Sequence, residues 1–363
     1  GRRSVVGGAG DAGAPDPLHR RVLAELASFT GWLERAGAQG YIGEVGWPDD
    51  QDSQRWCSLA RSWCAEAVGA GLWADLWATG EWWPIADPFA AYTSSRGGGP
   101  LSTTWAQGEL LTELAPGAGG QLGINVAGAE FGAPGGTDLE SGFSNEQPGT
   151  VERDYHYDGR ESSAFLAAQG LRRVRLPFRW ERVQRQLGGP LDGGEVDRLL
   201  RAVERARSAG LGVVLDVHNY GAYFAADGGR GVRQPLGGPL VTTAHLADLW
   251  RRLSGVFAGV PGVTAYGLMN EPVGLPEGGE GAARLWERAS QEALDAIRST
   301  GDGTLVMVAG YAWSHARSFA EQHPTAWIDD PAGSVRYEAH HYWQRLEGRS
   351  YDEEVADARR EGH

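Results

Sequence analysis

Apolar positions along the chain switch between two periods. Over residues 16–36, Leu18, Val22, Leu26, Phe29 and Leu33 recur at helical spacing, with Pro17 suited to a first turn. Residues 41–45 then read as a short buried strand ending in GWP. Residues 52–68 read as a helix with Trp56, Leu59, Ala60 and Trp63 on one face, and 71–84 as a strand running into a tryptophan-rich loop. The rhythm breaks over residues 85–120, where SSRGGGP and PGAGG mark a connector with one short amphipathic stretch at 105–114.

Beyond the connector the alternation resumes. A strand at 122–126 is followed by a long polar loop, 128–149, and a helix at 161–169. Strand 171–178, helix 195–208, strand 211–219 and helix 244–257 come next. The run VTAYGLMNEPV at 263–273 reads as a buried strand stopped by Asn270, Glu271 and Pro272. A helix carrying Leu285, Trp286, Ala289, Leu294 and Ile297, strands at 304–310 and 334–343, and a charged tail complete the chain. Strands apolar on both faces belong in a parallel sheet covered by helices. Two strands before the connector and six after it, each paired with a helix, predict one (β/α)8 TIM barrel over residues 1–363, with 1–84 and 121–363 as its two parts.

Charge narrows the function. The net charge of -14 and pI near 5.1 are unsuited to a nucleic-acid surface, and no apolar run is long enough to span a membrane. All 33 basic residues are arginine, which excludes Schiff-base, pyridoxal and Walker-type lysine chemistry. Cys57 and Cys64 lie seven apart in one predicted helix, about 10 Å along its axis, and cannot bridge there. Residues 1–10, GRRSVVGGAG, carry no secretory leader pattern.

The chemistry concentrates at strand ends. Glu44 ends the first strand, and Trp77, Trp82 and Trp83 follow the second. Arg175, then His218 and Asn219, then Asn270 and Glu271, and finally His340 and Tyr342 close later strands. In a parallel barrel that rim carries the active site. Two glutamates on one rim can cleave a glycosidic bond, one protonating the leaving oxygen and the other attacking carbon or activating water. Trp47, Trp180, Trp313 and Trp343 also fall just past strand ends, where aromatic faces could bind a neutral sugar. Trp56, Trp63, Trp250 and Trp286, on helix faces, read as core.

With these residues in view, residues 123–343 and 41–83 resemble glycoside hydrolase family 5, a clan of retaining two-glutamate barrels. The resemblance implies Glu271, in NEP, as acid/base and Asn270 as the residue that holds the sugar 2-hydroxyl. It implies Glu44, in GEVGWP, as nucleophile, with Arg175 and Tyr342 hydrogen-bonded to it. His340, His218, Asn219 and Trp77 are implied to contact substrate. The family's last two strands come first here, so the chain reads as a circular permutant opened after the family's sixth strand. LPFRWERV and AGAEFG resemble the endo-β-1,4-glucanase branch, implying cellulose or mixed-linkage β-glucan as substrate, with xylan, mannan or another β-glycoside open. A secreted monomer with no cofactor and no metal is expected. A non-catalytic carbohydrate-binding barrel and a metal-dependent hydrolase are the rivals, and the latter would need clustered histidine ligands.

Overall fold

The computed structural model describes residues 16–346 and 348–363; the leader reading of residues 1–10 lies outside them. Eight parallel strands form the barrel: β1 (Gly40–Gly46), β2 (Trp73–Gly80), β3 (Leu122–Val126), β4 (Arg173–Phe178), β5 (Gly212–Val217), β6 (Val263–Gly267), β7 (Leu305–Ala309) and β8 (Val335–Tyr342). Neighbours pair in the order β1-β8-β7-β6-β5-β4-β3-β2, and pairing of β1 with β2 closes the ring. The two chain parts therefore make one barrel.

Helices α1 (Pro17–Ala36), α2 (Ser53–Gly69), α3 (Ala106–Leu114), α4 (Arg160–Ala168), α5 (Gly193–Ser208), α6 (Thr243–Phe257), α7 (Gly279–Arg298) and α8 (Tyr351–Arg360) surround it. Their boundaries follow local chemistry. Asp16 accepts the His19 N–H at 2.9 Å to cap α1, and Gly37, at φ 62°, ends it. Trp56, Trp63, Trp250 and Trp286 are wholly buried on inward helix faces. Cys57 and Cys64 are both free.

Several expectations are corrected. The 85–120 stretch is more than a connector. Tyr92–Ser94 and Leu101–Thr104 form a hairpin pairing onto β2, and α3 fills the crossover from β2 to β3. The loop after β3 contributes Glu140–Ser141 to a small antiparallel sheet with Ala222–Asp227 and Arg230–Pro235, whose short polar strands lack a long alternating pattern. Between β7 and β8 lies only the single-turn helix Phe319–Gln322. The charged tail contains α8, which buries Tyr351, Glu354 and Ala358. It docks on α1 through Arg21–Glu354 at 2.9 Å and Tyr351–Asp16 at 2.9 Å.

Candidate active site

The strand register brings the two glutamates together. Glu44 on β1 lies beside His340 on β8. From β6 the chain leaves the ladder after Gly267, yet Asn270 N–H still donates to Val217 O at 2.8 Å. Glu271 then adopts φ 42°, in the left-handed region that disfavours a side chain. Oxygens of Glu44 and Glu271 and a ring nitrogen of His340 all lie within 4.8 Å of one another.

Around Glu44, Arg175 Nη1 donates to Oε1 at 3.1 Å and Tyr342 Oη to Oε2 at 2.6 Å. Arg175 is wholly buried and also donates to Asn125 Oδ1 at 2.9 Å and Asn270 Oδ1 at 2.7 Å. Burial disfavours its charge, but Asp216, Glu338 and Glu44 outweigh that and hold it cationic. Asn270 Nδ2 lies 3.2 Å from His218 Nε2, and Asp216 Oδ2 lies 2.8 Å from His218 Nδ1. Burial drives the His218 basicity down, so the ring is neutral. These partners assign its proton to Nδ1.

Glu271 has the opposite surroundings. Burial, reinforced by the Glu44 charge and opposed by His340, pushes its carboxyl up to about 6. His340 is wholly buried between carboxylates. Nδ1 meets Glu271 Oε1 at 2.7 Å and lies 3.5 Å from Glu44 Oε2, while Nε2 meets Glu338 Oε1 at 3.1 Å. Desolvation would lower its basicity, but the charge of Glu44 and the bonds to Glu271 and Glu338 raise it to about 10. Both His340 ring nitrogens are thus committed to protein partners, where the sequence pointed to substrate contact.

Sequence reading missed Asn125, Asp216 and Tyr220, and above all Glu338. Buried in the EAHHY run, it sits 3.1 Å from both Arg175 Nη2 and His340 Nε2. The signal was its place two residues before His340, since alternate residues of a strand share a face. Its oxygen occupies the space beside Gly43, where a Cβ would come within 1.9 Å.

A cleft of ≈ 490 Å³, within the usual range of small-molecule sites, opens beside His218 and Tyr220. Trp77, Trp82, Trp83, Phe131, Arg179, Glu130, His218 and Tyr220 line it. Trp77 stacks on His218 with ring centroids 5.5 Å apart, and half-buried Trp313 meets Tyr220 edge to face at 5.9 Å. Three other tryptophans are not on the rim surface. Trp47 and Trp343 stack on each other at 5.1 Å and are 3% and 1% exposed. Trp180 is wholly buried, donating to Gln184. Asn219 is likewise turned inward: it caps Trp180 N–H at 2.8 Å and donates to Glu181 at 2.9 Å. A position just past a strand end therefore does not guarantee contact with the cleft.

The cellulase family model, glycosyl hydrolase family 5, matches residues 137–357. A manganese dependent endoglucanase, Eg5A, of Phanerodontia chrysosporium is 28% identical over 228 residues, which make up 61% of this chain and 52% of that protein. The chain thus spans about half the length of the curated relatives it matches. An endo-beta-1,4-glucanase of Xanthomonas axonopodis pv. citri is 31% identical with a TM-score of 0.52, over 66% of this chain and 74% of that one. Endoglucanase Cel5A of Pseudomonas stutzeri, solved in complex with cellobiose, is 32% identical with a TM-score of 0.52, over 63% and 64%. From the barrel, the rim constellation and the family match together, the chain belongs to the cellulases of glycosyl hydrolase family 5.

Proposed function

We propose that this chain is a retaining endo-β-1,4-glucanase, acting on cellulose or mixed-linkage β-glucan by double displacement. The observation that carries the reading is the approach of Glu44 and Glu271 oxygens to within 4.8 Å. Retaining glycosidases hold their carboxyl groups about 5–5.5 Å apart, whereas inverting ones leave about 6.5–9.5 Å for a water. Glu44, charged against Arg175 and Tyr342, attacks the anomeric carbon. Glu271, whose proton burial and the Glu44 charge hold up to about pH 6, gives that proton to the leaving oxygen. Once Glu44 is esterified its charge is gone, the raised basicity of Glu271 relaxes, and Glu271 becomes the base that activates water.

Asn270 is assigned to the sugar 2-hydroxyl, His218 and Tyr220 to neighbouring hydroxyls, and Trp77, Trp82, Trp83 and Trp313 to ring stacking. The relatives' names, endoglucanases from fungi and bacteria, support the β-1,4-glucan choice. They also support a secreted enzyme. The circular order is part of the same reading: the family match begins at residue 137 and excludes the strands that carry Glu44 and Trp77. No step is routed through a metal, so kcat at saturating substrate should survive chelation.

A panel of cellulose, mixed-linkage glucan, xylan and mannan, with product anomers read by NMR, tests this. Retention on β-glucans is expected. Inversion would overturn the mechanism, and preference for xylan or mannan the substrate. Glu44→Gln should bind cello-oligosaccharide and lose most turnover; near-normal turnover would remove Glu44 from the role.

A further inference from the structure

A second cluster of ligating side chains lies outside the catalytic pair, beneath the aromatic wall of the cleft. Glu81 follows β2 by one residue, and His156 and Asp158 lie just before α4. Glu81 Oε2 is 2.7 Å from His156 Nε2, and Asp158 Oδ1 is 4.0 Å from the same nitrogen. One donor atom from each residue falls within 4.8 Å of the others. All three side chains are close to nine-tenths buried or more, at 7%, 11% and 7% exposed.

The cluster's central bond joins Glu81 Oε2 to His156 Nε2 at 2.7 Å, and an ion would bind there by displacing the proton between them. Glu81 Oε1 is taken by Gly159 N–H at 2.8 Å and Ser162 Oγ–H at 2.5 Å, which leaves Oε2 for the histidine. Glu152 Oε2 holds His156 Nδ1 at 2.8 Å, the carboxylate–histidine support that orients metal-binding imidazoles. Asp158 Oδ1 accepts Glu81 N–H at 2.9 Å, whereas Asp158 Oδ2 is buried with no hydrogen-bond partner. Without an ion, the compensating cation is His156, whose basicity is raised against burial by Glu81, Asp158 and Glu152; a divalent ion would replace that single proton with a larger charge. Arg205, half-buried, is the other basic group facing Asp158, and its Nη2 is directed to Tyr157 O at 3.5 Å.

We propose that Glu81, His156 and Asp158 bind one divalent cation of the Mn²⁺ or Zn²⁺ type. One imidazole nitrogen with two carboxylate oxygens suits these ions better than the all-oxygen sets of Ca²⁺ or the thiolate-rich sets of Cu(I). Ligands at about 2.1 Å around a tetrahedral ion sit about 3.4 Å apart, and the separations of 2.7 and 4.0 Å bracket that value. The functional link is Trp82. Its ring lies flat on His156, centroids 5.0 Å apart and planes 9° apart, while its other surroundings line the cleft. An ion at His156 fixes this aromatic platform, and its effect falls on substrate binding rather than on the two glutamates.

The test needs no activity. Full-length protein stripped with EDTA is titrated with MnCl₂, and separately with ZnCl₂ and CaCl₂, by calorimetry, with Tm read in parallel. One Mn²⁺ or Zn²⁺ per chain and a raised Tm are expected, with Ca²⁺ weaker. Asp158→Asn and His156→Gln should weaken binding at least about tenfold, and Glu152→Gln, at an exposed position, should do so while keeping the fold. Glu44→Gln should bind the ion as the wild type does, which separates this site from the Glu44–Glu271–His340 group. Absence of Mn²⁺ and Zn²⁺ binding, equal binding by the Glu152 and Asp158 variants, or loss of binding in Glu44→Gln would each overturn the proposal.

Discussion

Replacing Glu44 by glutamine should change how Glu271 titrates, and by an amount that the structure sets. The two carboxylates approach within 4.8 Å, and Glu271 titrates at about 6 because burial and then the Glu44 charge disfavour its ionised form. At no more than that separation and an effective dielectric of about 20, one unit charge acts on the other with at least about 3 kcal/mol, equivalent to about two pH units. Removing the negative neighbour favours the glutamate anion, so Glu271 should move downward, from about 6 toward the ordinary carboxylate range. Carbon-13 NMR of glutamate-labelled protein, with Glu271→Gln to assign the signal, reads this in wild type and Glu44→Gln. The wild-type titration should also appear as the basic limb of kcat/KM. A Glu271 signal that moves by less than about half a pH unit would refute electrostatic contact between the two groups, and with it the proton cycling assigned to Glu271.

Five further outcomes are expected. Gly43→Ala forces a Cβ to within 1.9 Å of Glu338 Oε1, and should cost about 1–3 kcal/mol in chemical denaturation together with most activity, because Arg175 and His340 share that carboxylate. Asn219→Ala leaves the Trp180 N–H and the Glu181 carboxylate short of a partner and should lower stability by about 1–3 kcal/mol with KM little changed, whereas Trp77→Ala should raise KM for cello-oligosaccharides. His340, raised from 6.5 to about 10, gains its stabilising contribution as the cation; that contribution is full below pH 6.5 and is lost as pH rises through about 10. The Tm difference between wild type and His340→Gln should therefore shrink over that window. Finally, because α8 and α1 are bonded side by side, a chain reopened in the exposed glycine loop of the hairpin, residues 99–363 followed by 16–98, keeps both hairpin strands and α3 and should refold with the same product anomer.

The physics of a strand explains which parts of this molecule were readable from its residues. Helical period located α1, α2, α4, α5, α6 and α7, and short apolar runs located the eight barrel strands, because a barrel strand is buried on both faces. The short hairpin strands and α8 escaped because few apolar positions define them and their stability comes from tertiary contacts such as Arg21 with Glu354. Arg175, Asn270, Glu271, Glu44 and Tyr342 were legible because each interrupts or ends an apolar run.

What a run cannot specify is the direction taken by a side chain beyond the last ladder bond. Trp82 and Trp47 both follow a strand, yet one lines the cleft and the other is stacked inside against Trp343. Nor does local pattern hold the pairings across the ring that make Glu338 a bridge between Arg175 and His340. The sequence by itself determined the alternating units and the polar groups at their ends. Closure of β1 against β2 and β8 decided which of those groups meet, since burial and charge act through distances in space that separation along the chain does not encode.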